Sequence, residues 1–193
     1  MKNQTVEEAE KLAKRILTRK IRKSLGEYYI FWSTFVVVLG IIFFIPFTQS
    51  LIPYLYTLLV LVYAGYTEVI FYKAYSKREF LRTPKSKLKY FLFITLILAA
   101  VGVWAYLLDT LNDFTFDALS DVIITTIISI LLYDVVRDTG RVRYYDYLAI
   151  ASFVLSNMLG PFNYLFFFIY FFFWVYAGVK SIIESYEGTE DEQ

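Results

Sequence analysis

Residues 161–178 read PFNYLFFFIYFFFWVYAG: eighteen positions with no charge and eleven aromatic rings. In a helix such a run is about 27 Å long. The hydrocarbon core of a bilayer is about 30 Å thick, and roughly 20 apolar residues in helix cross it. The run is apolar on every side, unlike the alternating strand of a barrel, and only a helix or a closed barrel satisfies its backbone groups in lipid. The rest of the chain agrees. Of 193 residues, 58% are hydrophobic and 21% aromatic, against about 45–50% apolar in soluble domains. A soluble fold of this size would leave large apolar patches exposed.

Six stretches are long and apolar enough, or nearly so, to cross a membrane: 28–47, 51–72, 88–108, 118–136, 144–159 and 162–183. The expected fold is all-α, a six-helix transmembrane bundle of three hairpins over residues 28–183. An amphipathic basic interfacial helix (1–27) precedes it, and an acidic disordered tail (184–193) follows. The fifth stretch is the weak one. It is short and carries Asp146, Ser152, Ser156 and Asn157, so it is tilted little, re-entrant, or shielded by neighbours.

The cations support this segmentation. All 19 Lys and Arg lie in the N-terminal arm, in 73–89, in 137–143 or at Lys180, and none lies around 48–50, 109–117 or 160–161. Six spans put the first group on one side and the second on the other. By the positive-inside rule both termini are cytoplasmic, in a multi-pass cell-membrane protein. Tyr28, Tyr29, Trp32, Tyr72, Tyr75, Tyr144, Tyr145 and Tyr147 sit at span ends, as an interfacial aromatic belt does. The first 25 residues hold no apolar region before a cleavage site, so no signal peptide is expected. Phe, Tyr and Ile enrichment without Cys or His hints at a heat-tolerant prokaryotic source.

Within the arm, Thr5 with Glu8 fits a capping box. Val6, Ala9, Leu12, Ala13, Ile16, Leu17 and Ile21 recur at helical spacing, with Lys and Arg covering the other faces. Such a helix lies in the headgroup layer or docks a cytoplasmic partner. The first and third hairpins also echo each other. Each starts with Tyr-Tyr, turns at Pro-Phe (Pro46-Phe47, Pro161-Phe162) and ends in Val-Tyr-Ala-Gly at 62–65 and 175–178. Parallel repeats build some membrane transport folds, and chance matches are common in a Phe- and Tyr-rich chain, so both origins stay open. Small residues let helix backbones approach in lipid. That makes Ala64, Gly65, Ala177 and Gly178 candidate helix-packing positions.

Ionisable groups in a membrane are functional suspects. Glu68 lies five residues before Lys73, about 7.5 Å of helix rise from the inner boundary. With Thr125, Thr126 and Ser129, a polar stripe on the fourth span, it forms the candidate intramembrane polar site. Between the fourth and fifth spans Arg137, Arg141 and Arg143 form a weak candidate site for a lipid headgroup phosphate, through their forked donors. The simpler reading of that segment is a tight turn with salt-bridged flanks. Asp113, Asp117 and Asp121 share one helical face. They faintly resemble the aspartate-rich motif of UbiA-type prenyltransferases. That family needs two such motifs, facing the cytoplasm, and more spans; this chain has one, on the outer side. Carboxylates at a helix start are explained by its positive end, with Asp117 as a cap.

The chain has no Cys and no His. Disulfides, thiolate chemistry and the commonest metal ligand and proton shuttle are therefore absent. No zinc spacing, phosphate-binding glycine loop or nucleophile elbow is present. No cofactor and no metal or catalytic residues are expected. The basic loops lie beside a membrane, so no nucleic-acid partner is implied. Expected partners are membrane lipids and a protein partner or a second copy in the membrane. Three readings of function follow. The first is a non-catalytic subunit or scaffold of a membrane complex. The second is a small-solute or lipid transporter: an amphipathic helix ahead of six spans, with a basic loop after the second, loosely resembles ABC-2-type permeases, which would imply an associated ATPase. The third is a lipid-processing enzyme using the acidic or arginine clusters.

Overall fold

The computed structural model describes residues 2–44, 52–75, 114–160 and 163–187. These are 93% helix with no strands. Five helices are seen: α1 (Lys2–Phe44), α2 (Ile52–Tyr75), α3 (Phe114–Asp138), α4 (Tyr144–Leu159) and α5 (Leu165–Glu187). Three contain segments long and apolar enough to cross a membrane, Lys11–Ile42, Tyr54–Ala74 and Leu165–Glu187. The chain is in that sense a membrane protein. The expected span 88–108, the basic residues 77–89 and Asp113 lie outside the described residues.

Three boundaries differ from the expected ones. First, α1 begins at Lys2, so Thr5 falls inside its first turns rather than capping it. It then runs 43 residues with no interruption between arm and span, about 65 Å. No proline interrupts it, and Gly26, the weakest helix former near the junction, is held by packing. Second, α3 begins at Phe114, which puts Asp117 in its first turn rather than at its cap. Third, α5 continues to Glu187. Residues 184–187 therefore belong to the helix and not to a tail, because Glu184 is bonded to side chains of α4 and the turn before it.

α1 is the central element. It packs most extensively on α5, and also on α2 and α3, while α4 bridges α3 and α5. The α1–α5 crossing is a reciprocal glycine contact. A Cβ added to Gly178 would lie 2.5 Å from Ile30 Cγ1 and 2.9 Å from the Gly26 carbonyl oxygen. One added to Gly26 would lie 2.7 Å from Ile182 Cγ1 and 2.8 Å from the Gly178 carbonyl oxygen. Only glycine permits this approach at both positions, and close backbone packing is a main source of helix association in lipid.

Above the crossing, buried Trp174 is surrounded by Tyr28, Tyr29, Tyr170 and Phe153 at centroid separations of 5.6, 5.2, 4.7 and 5.9 Å. Its indole N–H donates to the Ala149 carbonyl at 2.8 Å. An apolar interior offers the indole no water, so a backbone acceptor satisfies it. Other rings of the same run, Phe168 and Phe172, are exposed. The α5 aromatics thus divide into an inward face that packs and an outward face that lipid would cover without penalty. α1 and α2 join through Trp32 Nε1 to Thr67 Oγ1 (2.7 Å), Thr34 Oγ1 with Tyr63 OH (2.6 Å), and stacked Phe31 and Tyr63 rings.

Candidate functional site

Among the described residues the largest concentration of buried polarity lies at one end of the bundle, where α1, the α3–α4 turn and α5 converge. Arg22 of α1 has a side chain 5% exposed; Asp146 of α4 is 0% exposed. Arg22 Nη1 donates to Asp146 Oδ2 at 2.8 Å. Its Nη2 reaches the Arg141 carbonyl at 3.3 Å and Glu184 Oε2 at 3.5 Å. The guanidinium also lies 5.0 Å from the Tyr145 ring centroid, within cation–π range.

Local backbone geometry positions Asp146. Thr139 N–H bonds to Val136 O, and Gly140 N–H to Arg137 O, both at 3.0 Å. Gly140 then adopts φ +81, a conformation that favours glycine. Arg143 is extended and caps α4. Asp146, three residues on, accepts the Arg143 backbone N–H at 2.9 Å through Oδ2, the carboxylate half of a capping box. Its Oδ1 accepts from Tyr29 OH at 3.3 Å. Three donors, two side chains of α1 and the Arg143 backbone N–H before α4, converge on one buried carboxylate. A charge in a low-dielectric interior requires such compensation.

Glu184 is the second acidic centre. Arg143 donates to its Oε1 through Nε (2.8 Å) and Nη2 (2.5 Å), and the Tyr145 hydroxyl donates to its Oε2. These bonds to Glu184 raise the Arg143 pKa above its ordinary value. Two guanidinium cations and two carboxylates make the cluster formally neutral. It acts as a clasp that joins α1, α4 and α5. In both echoing hairpins the second tyrosine of the pair, Tyr29 or Tyr145, donates to a clasp carboxylate.

The positions singled out by sequence are scattered. Glu68 is exposed on α2 and does not line the groove that holds the hydroxyl stripe. Thr125 is buried, Thr126 Oγ1 donates to its own helix at the Val122 carbonyl (2.7 Å), and the buried Ser129 Oγ has no hydrogen-bond partner. Ala177 and Gly178 are buried in the α1–α5 contact. Gly65 is not packed in this way: among the described residues a Cβ added there meets nothing within 4 Å, and neighbouring Ala64 is half-buried. Gly178 is confined because Gly26 faces it; among the described residues no glycine faces Gly65. Of the three arginines, Arg143 is bonded to Glu184, so its fork is not open to a phosphate, while Arg137 and Arg141 are exposed.

Arg22, Tyr29, Tyr145 and Glu184 were not singled out as a site. The available signal was Asp146 in a short span, which demands a buried cation. Among the described residues no group of three or more acidic, His or Cys side chains could hold a metal. Against known proteins, no family model, curated protein or solved structure matches the chain.

Proposed function

We propose that the chain is a non-catalytic scaffold or subunit of a membrane complex, a six-span bundle with both termini in the cytoplasm and a rigid basic arm that docks a partner. The observation that carries this reading is the clasp. Its four charges are engaged with one another and join helices, an arrangement suited to fixing geometry rather than moving protons or activating substrate. The clasp also ties the arm's helix to the bundle at Arg22, so everything before it on α1 has a defined direction. Along that part Leu12 and Ile16 are exposed beside Lys11 and Lys14, the pattern of a helix offered to another surface. The cytoplasmic assignment draws support from the meeting of Arg22, Arg141 and Arg143 at one end, as segregation of cations to one membrane face requires.

A transporter would need a polar path through its interior. The groove beside Thr125 is mostly apolar, and Glu68 lies away from it. Purification of the tagged chain at native expression level in mild detergent tests the proposal. A stoichiometric protein partner is expected, and it should be lost from the Leu12→Lys, Ile16→Lys double variant. Recovery of wild type only as an isolated monomer would overturn it.

A further inference from the structure

A groove of about 420 Å³ runs between α3 and α4, within the usual size of ligand sites. Its walls include Thr125, Ser129 and Tyr133 from α3, and Tyr147, Ile150 and Met158 from α4. From Thr125 to Tyr133 it follows about 12 Å of helix. We infer that it is a binding site for one chain of an anionic phospholipid, whose phosphate is held by Arg137.

Three observations identify that occupant. Tyr133 and Tyr147, both exposed, rim the groove at the end nearest the clasp. Tyrosines hold this position at the headgroup level of a bilayer. Arg137 is exposed one helical turn beyond Tyr133, on the same face of α3. It has the planar fork that fits phosphate oxygens. Among the described residues the exposed surface of the groove is mostly apolar and its side is open, as an acyl chain entering from lipid requires. Of the three serine and threonine residues along it, Thr126 already donates to its own helix, Thr125 is buried, and Ser129 Oγ is without a partner. The charged residues nearest Arg137 in sequence are the exposed Asp134 and Asp138 on its own helix and Arg141 in the turn that follows. This site is separate from the clasp, where Arg143 is already bonded.

The test is native mass spectrometry of the full chain, purified in mild detergent and incubated with equimolar phosphatidylglycerol and phosphatidylcholine. Wild type is expected to retain phosphatidylglycerol in preference. Arg137→Gln should lower that preference about fivefold, the worth of one surface cation near an anionic headgroup. Lys73→Gln, which removes an exposed cation from α2, should leave it unchanged. Ser129→Leu, which fills the groove, should lower retention of both lipids. Equal retention of the two lipids by wild type would overturn the inference, as would an unchanged preference in Arg137→Gln. Loss of a dimer rather than of lipid in Ser129→Leu would also overturn it and give the groove to a second chain. Arg137 is exposed, so its variant folds and decides the question even if Ser129→Leu does not.

Discussion

Replacing Arg22 with methionine keeps the length of the side chain and removes its charge. Asp146 would then keep the Tyr29 hydroxyl and the Arg143 N–H but lose its one cationic donor, at a site with no exposure to solvent. Breaking a buried ion pair from one side costs about 3–5 kcal/mol, because the remaining charge is uncompensated. Glu184 suffers less. Its contact with Arg22 is long at 3.5 Å, and Arg143 and Tyr145 still hold it. For a chain of this size each kcal/mol shifts the melting temperature by about 2–4 °C, so Arg22→Met should melt about 6–20 °C below wild type in mild detergent. Asp146→Asn added to Arg22→Met should recover much of the loss, since a neutral amide in the same place no longer needs a cation. The pair should therefore be strongly non-additive, as contacting residues are. Thermal unfolding followed by circular dichroism and by loss of the monodisperse peak on size exclusion reads both quantities. A melting point within 2 °C of wild type for Arg22→Met, or simple additivity in the double variant, would refute the account of the clasp.

Other consequences are smaller and local. Gly178→Ala and Gly26→Ala each place a methyl under 3 Å from the facing helix and should lower stability by about 1–3 kcal/mol as overpacking. Gly65→Ala, with open space around it, should be neutral or stabilise by up to about 1 kcal/mol through helix propensity; the same melting assay separates them. Gly140→Ala puts an L side chain at φ +81 and should cost about 1–2 kcal/mol, with Gly140→Asn milder. Trp174→Phe removes the bond to the Ala149 carbonyl and should cost about 1–2 kcal/mol, visible as a lower midpoint in denaturant titration.

The helices were legible where chemistry is local. A run such as 162–183 is almost wholly apolar and lacks the alternation of a barrel strand, which leaves a helix to satisfy its backbone in lipid. Of the alternatives open for 144–159, shielding by neighbours accounts for the polar residues, because the buried face of α4 is Tyr145, Asp146, Ala149, Ser152 and Ser156. What could not be read is pairing across distance. Arg22 sits among seven other cations of the arm, and nothing in its spacing distinguishes it; its partner is 124 residues away. The repeated Ala-Gly pairs show the same limit. Identical tetrapeptides end the two echoing hairpins, yet Gly178 is pressed against Gly26 while Gly65 meets none of the described residues. The deciding residue, Gly26, lies outside the motif. Arm and span were read as separate because the composition changes at residue 28. Helix continuity depends instead on backbone breakers, and the junction holds only the packed Gly26.

If lipid surrounds the bundle and the clasp end faces the cytoplasm, the two ends differ in their access from outside the cell. The chain has no native cysteine, so single introduced thiols report without background. Asn163→Cys lies beside the α4–α5 turn at the far end; Lys73→Cys and Glu187→Cys lie at the clasp end, and all three positions are exposed. A membrane-impermeant maleimide applied to intact cells should label Asn163→Cys alone, and the other two only after the membrane is opened. Labelling of Lys73→Cys or Glu187→Cys from outside, or recovery of the protein in the soluble fraction without detergent, would contradict the account.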